Sequence, residues 1–278
     1  MNYNEAKVTT YQFDHTAIAL RSWGRGPDLL FIHGFCVHGY TWRKLVADLA
    51  KSYTCHVVDL PGFGDSEWTK AADLSFTAQA ERLAQLIDKL GWQDLSIIAQ
   101  DTGASIARLI ALSRPLVIKD LIMINTEIPY HRPPFIPIHQ FLAKLPLANP
   151  IFRLLLKIGP IVRSPLLFAP FFYDKSLLKQ KEQIQLPYVA RLQTSHQMYG
   201  MLIVDDFADT HSQIKANVLL VWGEEDRTFP LHLAKAMMRQ FTTSCSLAVI
   251  PKACLMPHEE RPREVLSHIR KFLTAPFD

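Results

Sequence analysis

The chain has 278 residues, 49% apolar and 20% charged, enough for one large domain carrying a sizeable insertion. Its formal charge of +4 comes without any dense run of Lys and Arg, which argues against a nucleic-acid partner. Cys36, Cys55, Cys245 and Cys254 show no C-x-x-C spacing, there is no apolar span of membrane length, and the N-terminus lacks a leader pattern. No metal or cofactor is expected, and a reducing, cytoplasmic setting is.

In chain order, short β-branched runs alternate with longer helical patterns. Residues 8–13 and 18–23 read as a leading antiparallel pair, and 29–32 as a compact strand that breaks at His33-Gly34. A helical period over 40–49 precedes a strand over 54–60. Residues 76–90 are amphipathic, with Ala80, Leu83, Ala84, Leu86 and Ile87 crowding one side. A buried strand over 95–99, a helix over 105–112 and a strand over 118–125 follow. Near the end come a strand (218–222), a helix (231–240), a strand (247–250) and a closing helix (264–273). This alternation predicts an α/β fold with a mostly parallel eight-stranded sheet covered by helices on both faces.

The alternation stops between about 128 and 211. Pro133, Pro134 and Pro137 interrupt a segment dense in large apolar residues, including Phe141, Leu145, Phe152, Leu154 and Phe171. Helices broken at prolines are expected there, forming a cap. The division is therefore a core of 1–127 and 212–278, with a helical cap of 128–211.

The stretch Leu95-Ser-Ile-Ile-Ala-Gln-Asp101-Thr-Gly-Ala-Ser carries the chemistry. A strand runs directly into a helix, and Ala99 and Gly103 are small at the two positions flanking a tight nucleophile elbow. Asp101 falls at the tip, with its carboxylate at a helix N-terminus, where an anion is favoured. Taken alone, Asp101 also fits a simple N-cap.

Other segments narrow the choice. His33-Gly34-Phe35 follows an early strand, Asp59-Leu-Pro-Gly-Phe-Gly-Asp-Ser66 a later one, and Trp222-Gly-Glu-Glu-Asp226-Arg-Thr-Phe-Pro230 a third. In this order they resemble the α/β-hydrolase superfamily over nearly the whole chain. An aspartate at the elbow is similar to the branch containing epoxide hydrolases, haloalkane dehalogenases and haloacetate dehalogenases. The resemblance implies a carboxylate that attacks an sp³ carbon, and an alkyl-enzyme ester that a histidine-activated water then cleaves. It assigns Asp101 as nucleophile, Asp226 as the supporting acid, and the Phe35 and Thr102 amides as the oxyanion hole. His33 is expected to anchor its loop.

The last loop departs from that family. Members commonly show Gly-His-x-Pro-His-x-Glu-x-Pro, whereas this chain reads Cys254-Leu255-Met-Pro-His258-Glu-Glu-Arg-Pro262. Leu255 stands where the base belongs, and leucine accepts no proton. Three readings stay open: His258 reaches inward as the base, a substitution traps the ester, or the chain has moved to ligand binding or to lyase, isomerase or cyclase chemistry. Glu127, after the strand that precedes the cap, is a spare acid, with a surface or hinge position as the plainer expectation.

The substrate expected is a lipophilic small molecule of the epoxide or alkyl-halide type. Thr102 and Phe35 stand where dehalogenases place halide-gripping residues, which disfavours dehalogenation. Tyr130, Tyr173, Tyr188 and Tyr199 are cap candidates to donate a hydrogen bond to an opening epoxide. The apolar cap with Lys144, Arg153, Lys157 and Arg163 also suggests peripheral contact with an anionic membrane.

Overall fold

The computed structural model describes residues 3–35, 37–134, 136–137, 141, 145, 151, 154–155, 158–164, 168–179 and 208–275. Among these residues nine strands form one sheet: β1 (Val8–Phe13), β2 (Thr16–Trp23), β3 (Asp28–Ile32), β4 (Thr54–Asp59), β5 (Glu67–Trp68), β6 (Leu95–Gln100), β7 (Ile118–Ile124), β8 (Asn217–Gly223) and β9 (Cys245–Ile250). Their spatial order is β1-β2-β4-β3-β6-β7-β8-β9, with β5 attached to β2. β1, β4 and β5 pair antiparallel to β2, and the remaining pairs are parallel. The sequence predicted eight strands. The ninth, β5, spans two residues and is too short to show alternation.

The central strands are buried along almost their whole length because helices cover both faces. β6 is buried at all six positions, and the side chains of Leu30, Phe31, Ile32, Ile97, Ile98, Ile122 and Val221 are wholly enclosed. Helices α1 (Arg43–Leu49), α2 (Phe76–Leu90) and α3 (Thr102–Ser113) precede the insertion, which includes the short α4 (Gly159–Val162). Helices α5 (Leu231–Met238), α6 (Pro257–Glu260) and α7 (Pro262–Thr274) follow it. Ser75 caps α2 by accepting from the Ala78 N–H, and Gly91 ends it at φ 67°, a left-handed conformation that favours glycine.

Strand order reverses between β3 and β6. The chain leaves β3 for β4 on one side, and later returns through β6 to β7 on the other. In open parallel sheets the crevice at such a switch point is where ligands bind, outside the carboxyl ends of the strands. The loop after β3 and the turn after β6 both open there. Among the described residues no strand lies between Ile124 and Asn217, and no helix is long and apolar enough to cross a membrane.

Candidate active site

β6 passes into α3 through a single residue. Asp101 has φ 53° and ψ −129°, outside the regions ordinary side chains prefer. The surroundings over-determine this conformation. The Asp101 N–H donates to the Asn125 carbonyl at 2.9 Å, and the Thr126 hydroxyl donates to the Asp101 carbonyl at 2.9 Å. A side chain at Gly103 would place its Cβ 2.2 Å from the His33 carbonyl oxygen, so the turn requires glycine there. Asp101 makes no side-chain capping bond to its helix. The plain N-cap reading is therefore not what the structure displays.

The carboxylate instead faces the loop after β3. The Phe35 N–H donates to Asp101 Oδ2 at 2.9 Å, and the Thr102 amide beside the same carboxyl also favours its ionised form. Of the two amides expected at an oxyanion hole, that of Phe35 is hydrogen-bonded to the Asp101 carboxyl. Gly34 lets the loop approach this closely: an added Cβ would lie 2.5 Å from Asp101 Cβ and 2.7 Å from Oδ2. His33 fixes the loop from behind. Its Nε2 accepts from the Leu60 N–H at 2.9 Å, which leaves Nδ1–H to donate to the Gly34 carbonyl at 2.8 Å. Burial pushes its pKa down to about 4, so the ring is neutral.

Asp226 sits beyond β8. Its Oδ2 accepts from Asn125 Nδ2 at 2.7 Å, and its Oδ1 accepts from the Thr228 N–H at 2.8 Å. Burial raises its pKa to about 6, against the stabilising pull of those donors. Asn125 also accepts from the Gly223 N–H through Oδ1 at 2.9 Å. One amide side chain thus joins the end of β7 to the acid loop.

The loop after β9 brings Leu255 to the site but no histidine. Leu255 is buried, and its carbonyl accepts from Gln100 Nε2 at 3.4 Å, one residue from the nucleophile position. The Cys254 N–H donates to Glu260 at 2.7 Å and its thiol to the Glu225 carbonyl at 3.3 Å, while burial pushes the thiol pKa up to about 12. His258 is not delivered to Asp101. It lies in α6, fully enclosed, with Nε2 2.7 Å from Thr41 Oγ1 and its ring 4.8 Å from that of Trp42. Glu259 fixes this orientation through Arg43, at 2.5 and 3.1 Å, and Lys44, at 2.9 Å. The histidine is drawn towards α1 because its neighbour's ion pairs lie there. Burial holds its pKa at about 4.

Glu127 is buried, contrary to the surface or hinge expectation. Its carboxylate accepts from the Ser105 hydroxyl and lies 3.3 Å from the Thr126 hydroxyl and 4.0 Å from the Arg108 guanidinium. Arg108, wholly enclosed, donates to Ser105 Oγ at 2.7 Å and to the Glu127 carbonyl at 3.0 Å. Its other nitrogen donates to His211 Nε2 at 3.0 Å, so His211 Nδ1–H donates to Gln240 at 2.7 Å. Burial lowers the Arg108 pKa to about 10 and that of His211 to about 4. The Asp101 carboxyl is held well above the ordinary carboxylate range, first by burial and next by the nearby Glu127 charge, while the two amides oppose this.

Sequence reasoning missed Arg108 and His211. Ser105 and Arg108 are one helical turn apart on α3, and an arginine among Ile106, Ala107, Ile110 and Ala111 was the available signal. Of the tyrosines, Tyr130 is 77% and Tyr173 47% exposed, and Tyr188 and Tyr199 lie outside the described residues, as does Cys36. No group of three or more metal-ligating side chains occurs among the described residues.

The alpha/beta hydrolase fold family matches residues 27–262, spanning the elbow and the acid and final loops. The chain belongs to that family. It is 25% identical over 268 residues to epoxide hydrolase 3 of Xenopus tropicalis, covering 91% of this chain and 73% of that protein. It is 31% identical over 111 residues to a pimeloyl-[acyl-carrier protein] methyl ester esterase of Aeromonas salmonicida, covering 40% of this chain and 42% of that one. The solved structure of epoxide hydrolase CorEH superposes with a TM-score of 0.81 at 18% identity, covering 97% and 99% of the two chains. The last likeness speaks for the fold alone.

Proposed function

We propose that this α/β-hydrolase is an enzyme that uses Asp101 as a nucleophile on an electrophilic carbon of a lipophilic small molecule, with epoxides the favoured class. The observation that carries the reading is the 2.9 Å bond from the Phe35 N–H to Asp101 Oδ2, with the Thr102 amide beside the same carboxyl. That bond leaves Oδ1 as the attacking atom. The carboxylate forms a bond to carbon, the epoxide carbon–oxygen bond breaks, and the departing oxygen takes a proton from water. In the resulting ester the same amides stand ready for the oxyanion that forms when water attacks the acyl carbon. The likeness to an epoxide hydrolase over most of the chain supports this class.

A second reading rests on a different observation. Leu255 occupies the histidine position, His258 Nε2 is engaged by Thr41, and Glu127 raises the proton affinity of Asp101. These features suit a site in which Asp101 moves a proton in a lyase, isomerase or cyclase reaction, or one that only holds a ligand.

Incubation with lipophilic epoxides and alkyl halides, with intact mass and product recorded together, separates these readings. A lasting adduct on Asp101, or product formation that Asp101→Asn abolishes, supports the nucleophile. Neither adduct nor product across the panel counts against it and favours proton transfer or binding.

A further inference from the structure

The positive charge of this protein is concentrated in one stretch of its sequence. Residues 128–173 contain five Lys and Arg and no Asp or Glu, whereas the other 232 residues carry 25 Lys and Arg against 26 Asp and Glu. Outside this segment the chain is close to neutral. The same segment exposes large apolar side chains: Phe141 at 63%, Ile151 at 54% and Leu154 at 60%, with Leu145 and Ile158 also open to solvent. Ile151 and Leu154 are helical and three positions apart, the spacing of one helix face, and Ile158 follows in extended backbone.

An exposed apolar set with cations and no anions is what an interfacial segment requires. Its side chains enter the acyl boundary while Lys and Arg meet anionic headgroups. We infer that the cap segment docks this enzyme on an anionic lipid bilayer through Phe141, Leu145, Ile151, Leu154 and Ile158. Charge complementarity selects that partner over a neutral bilayer. The exposed aliphatic face also selects it over nucleic acid, which is met by cations interleaved with stacking aromatics.

The segment is tied to the catalytic rim at both ends. His131 Nε2 is 2.8 Å from the Thr228 carbonyl in the acid loop, and the Tyr173 and Asp174 N–H groups donate to Glu260 beside the final loop, at 2.6 and 3.0 Å. A docked cap therefore holds the carboxyl edge of the sheet next to the bilayer, where lipophilic molecules partition. The inference stands whichever reaction Asp101 performs.

Vesicle flotation tests it with the full chain, using phosphatidylcholine alone and phosphatidylcholine with about 30% phosphatidylglycerol. Binding to the anionic vesicles is expected to be at least about tenfold tighter and to weaken at about 0.5 M salt. The triple variant I151S/L154S/I158S and the charge variant K144Q/R153Q/K157Q are each expected to lose about tenfold or more. Their melting curves, recorded alongside, verify folding, and the charge variant supplies the result if the apolar one does not fold. No preference for anionic vesicles overturns the inference, as does equal binding by the folded variants. Concentration-dependent self-association in light scattering without vesicle binding overturns it in favour of a second copy on this face.

Discussion

The two sides of the site differ in kind. On the elbow side the backbone builds the site: the strained φ of Asp101, the close approach of Gly34 and the Phe35 amide on the carboxyl. On the opposite side the loop after β9 sets an apolar side chain near the elbow, with the Leu255 carbonyl on Gln100 and His258 turned into the packing around Trp42. The lesson is that backbone-built and side-chain-built parts of a site are separable. The oxyanion amides belong to the path of the chain and persist while the fold persists. A general base belongs to one residue and disappears with it.

The largest expected effect lies on the elbow side. Asp101→Asn should lower adduct and product formation by at least about a thousandfold, measured by intact mass and chromatography. Unchanged turnover would end the nucleophile reading. On the other side, Leu255→His should release product from a stalled ester about 10²- to 10⁴-fold faster, the usual contribution of general-base catalysis. A burst experiment reads this directly, and no acceleration would mean that the missing base is not what limits the wild-type protein. Gly34→Ala should slow adduct formation by about a hundredfold and destabilise the fold by about 1–3 kcal/mol, because its Cβ overlaps Asp101. Rate measurement and urea unfolding check the two parts separately.

Smaller effects concern protons. Adduct formation needs the ionised Asp101, whose pKa is raised, so the rate should climb with pH beyond the ordinary carboxylate range. Glu127→Gln removes the neighbouring charge and should move that profile towards lower pH, and a profile that stays put would detach Glu127 from the site. His258→Gln should cost about 1–2 kcal/mol at pH 7 through lost packing and hydrogen bonding. The native pKa of His258 is depressed to about 4, so its contribution is complete above the unfolded value near 6.5 and lost as pH falls towards 4. The stability gap between wild type and variant should therefore narrow over that window in denaturant titrations. If the variant instead halts product release, His258 reaches Asp101 during turnover and the contrast between the two sides fails.

Much of this was legible in sequence, for definite reasons. The elbow shows itself because small residues at 99 and 103 are compelled by sterics. The parallel core shows itself because strands buried on both faces must be apolar throughout. The orientation of His258 was not legible, since it follows from Glu259 pairing with Arg43 and Lys44 more than 200 positions earlier. Glu127 read as a hinge residue because its partners Ser105 and Arg108 lie on another element, and His211 carried no local pattern. Solvation is the default for an isolated charge, and only tertiary contacts reverse it.

Asn125 has a consequence for the site's history and its engineering. Because its amide grips both Asp226 and the Gly223 backbone, the Asp226 carboxylate is held by amide donors. A histidine introduced at Leu255 would therefore meet an acid already seated in its socket. Building a base there is in this respect a local change, one side chain set into scaffolding that is already assembled.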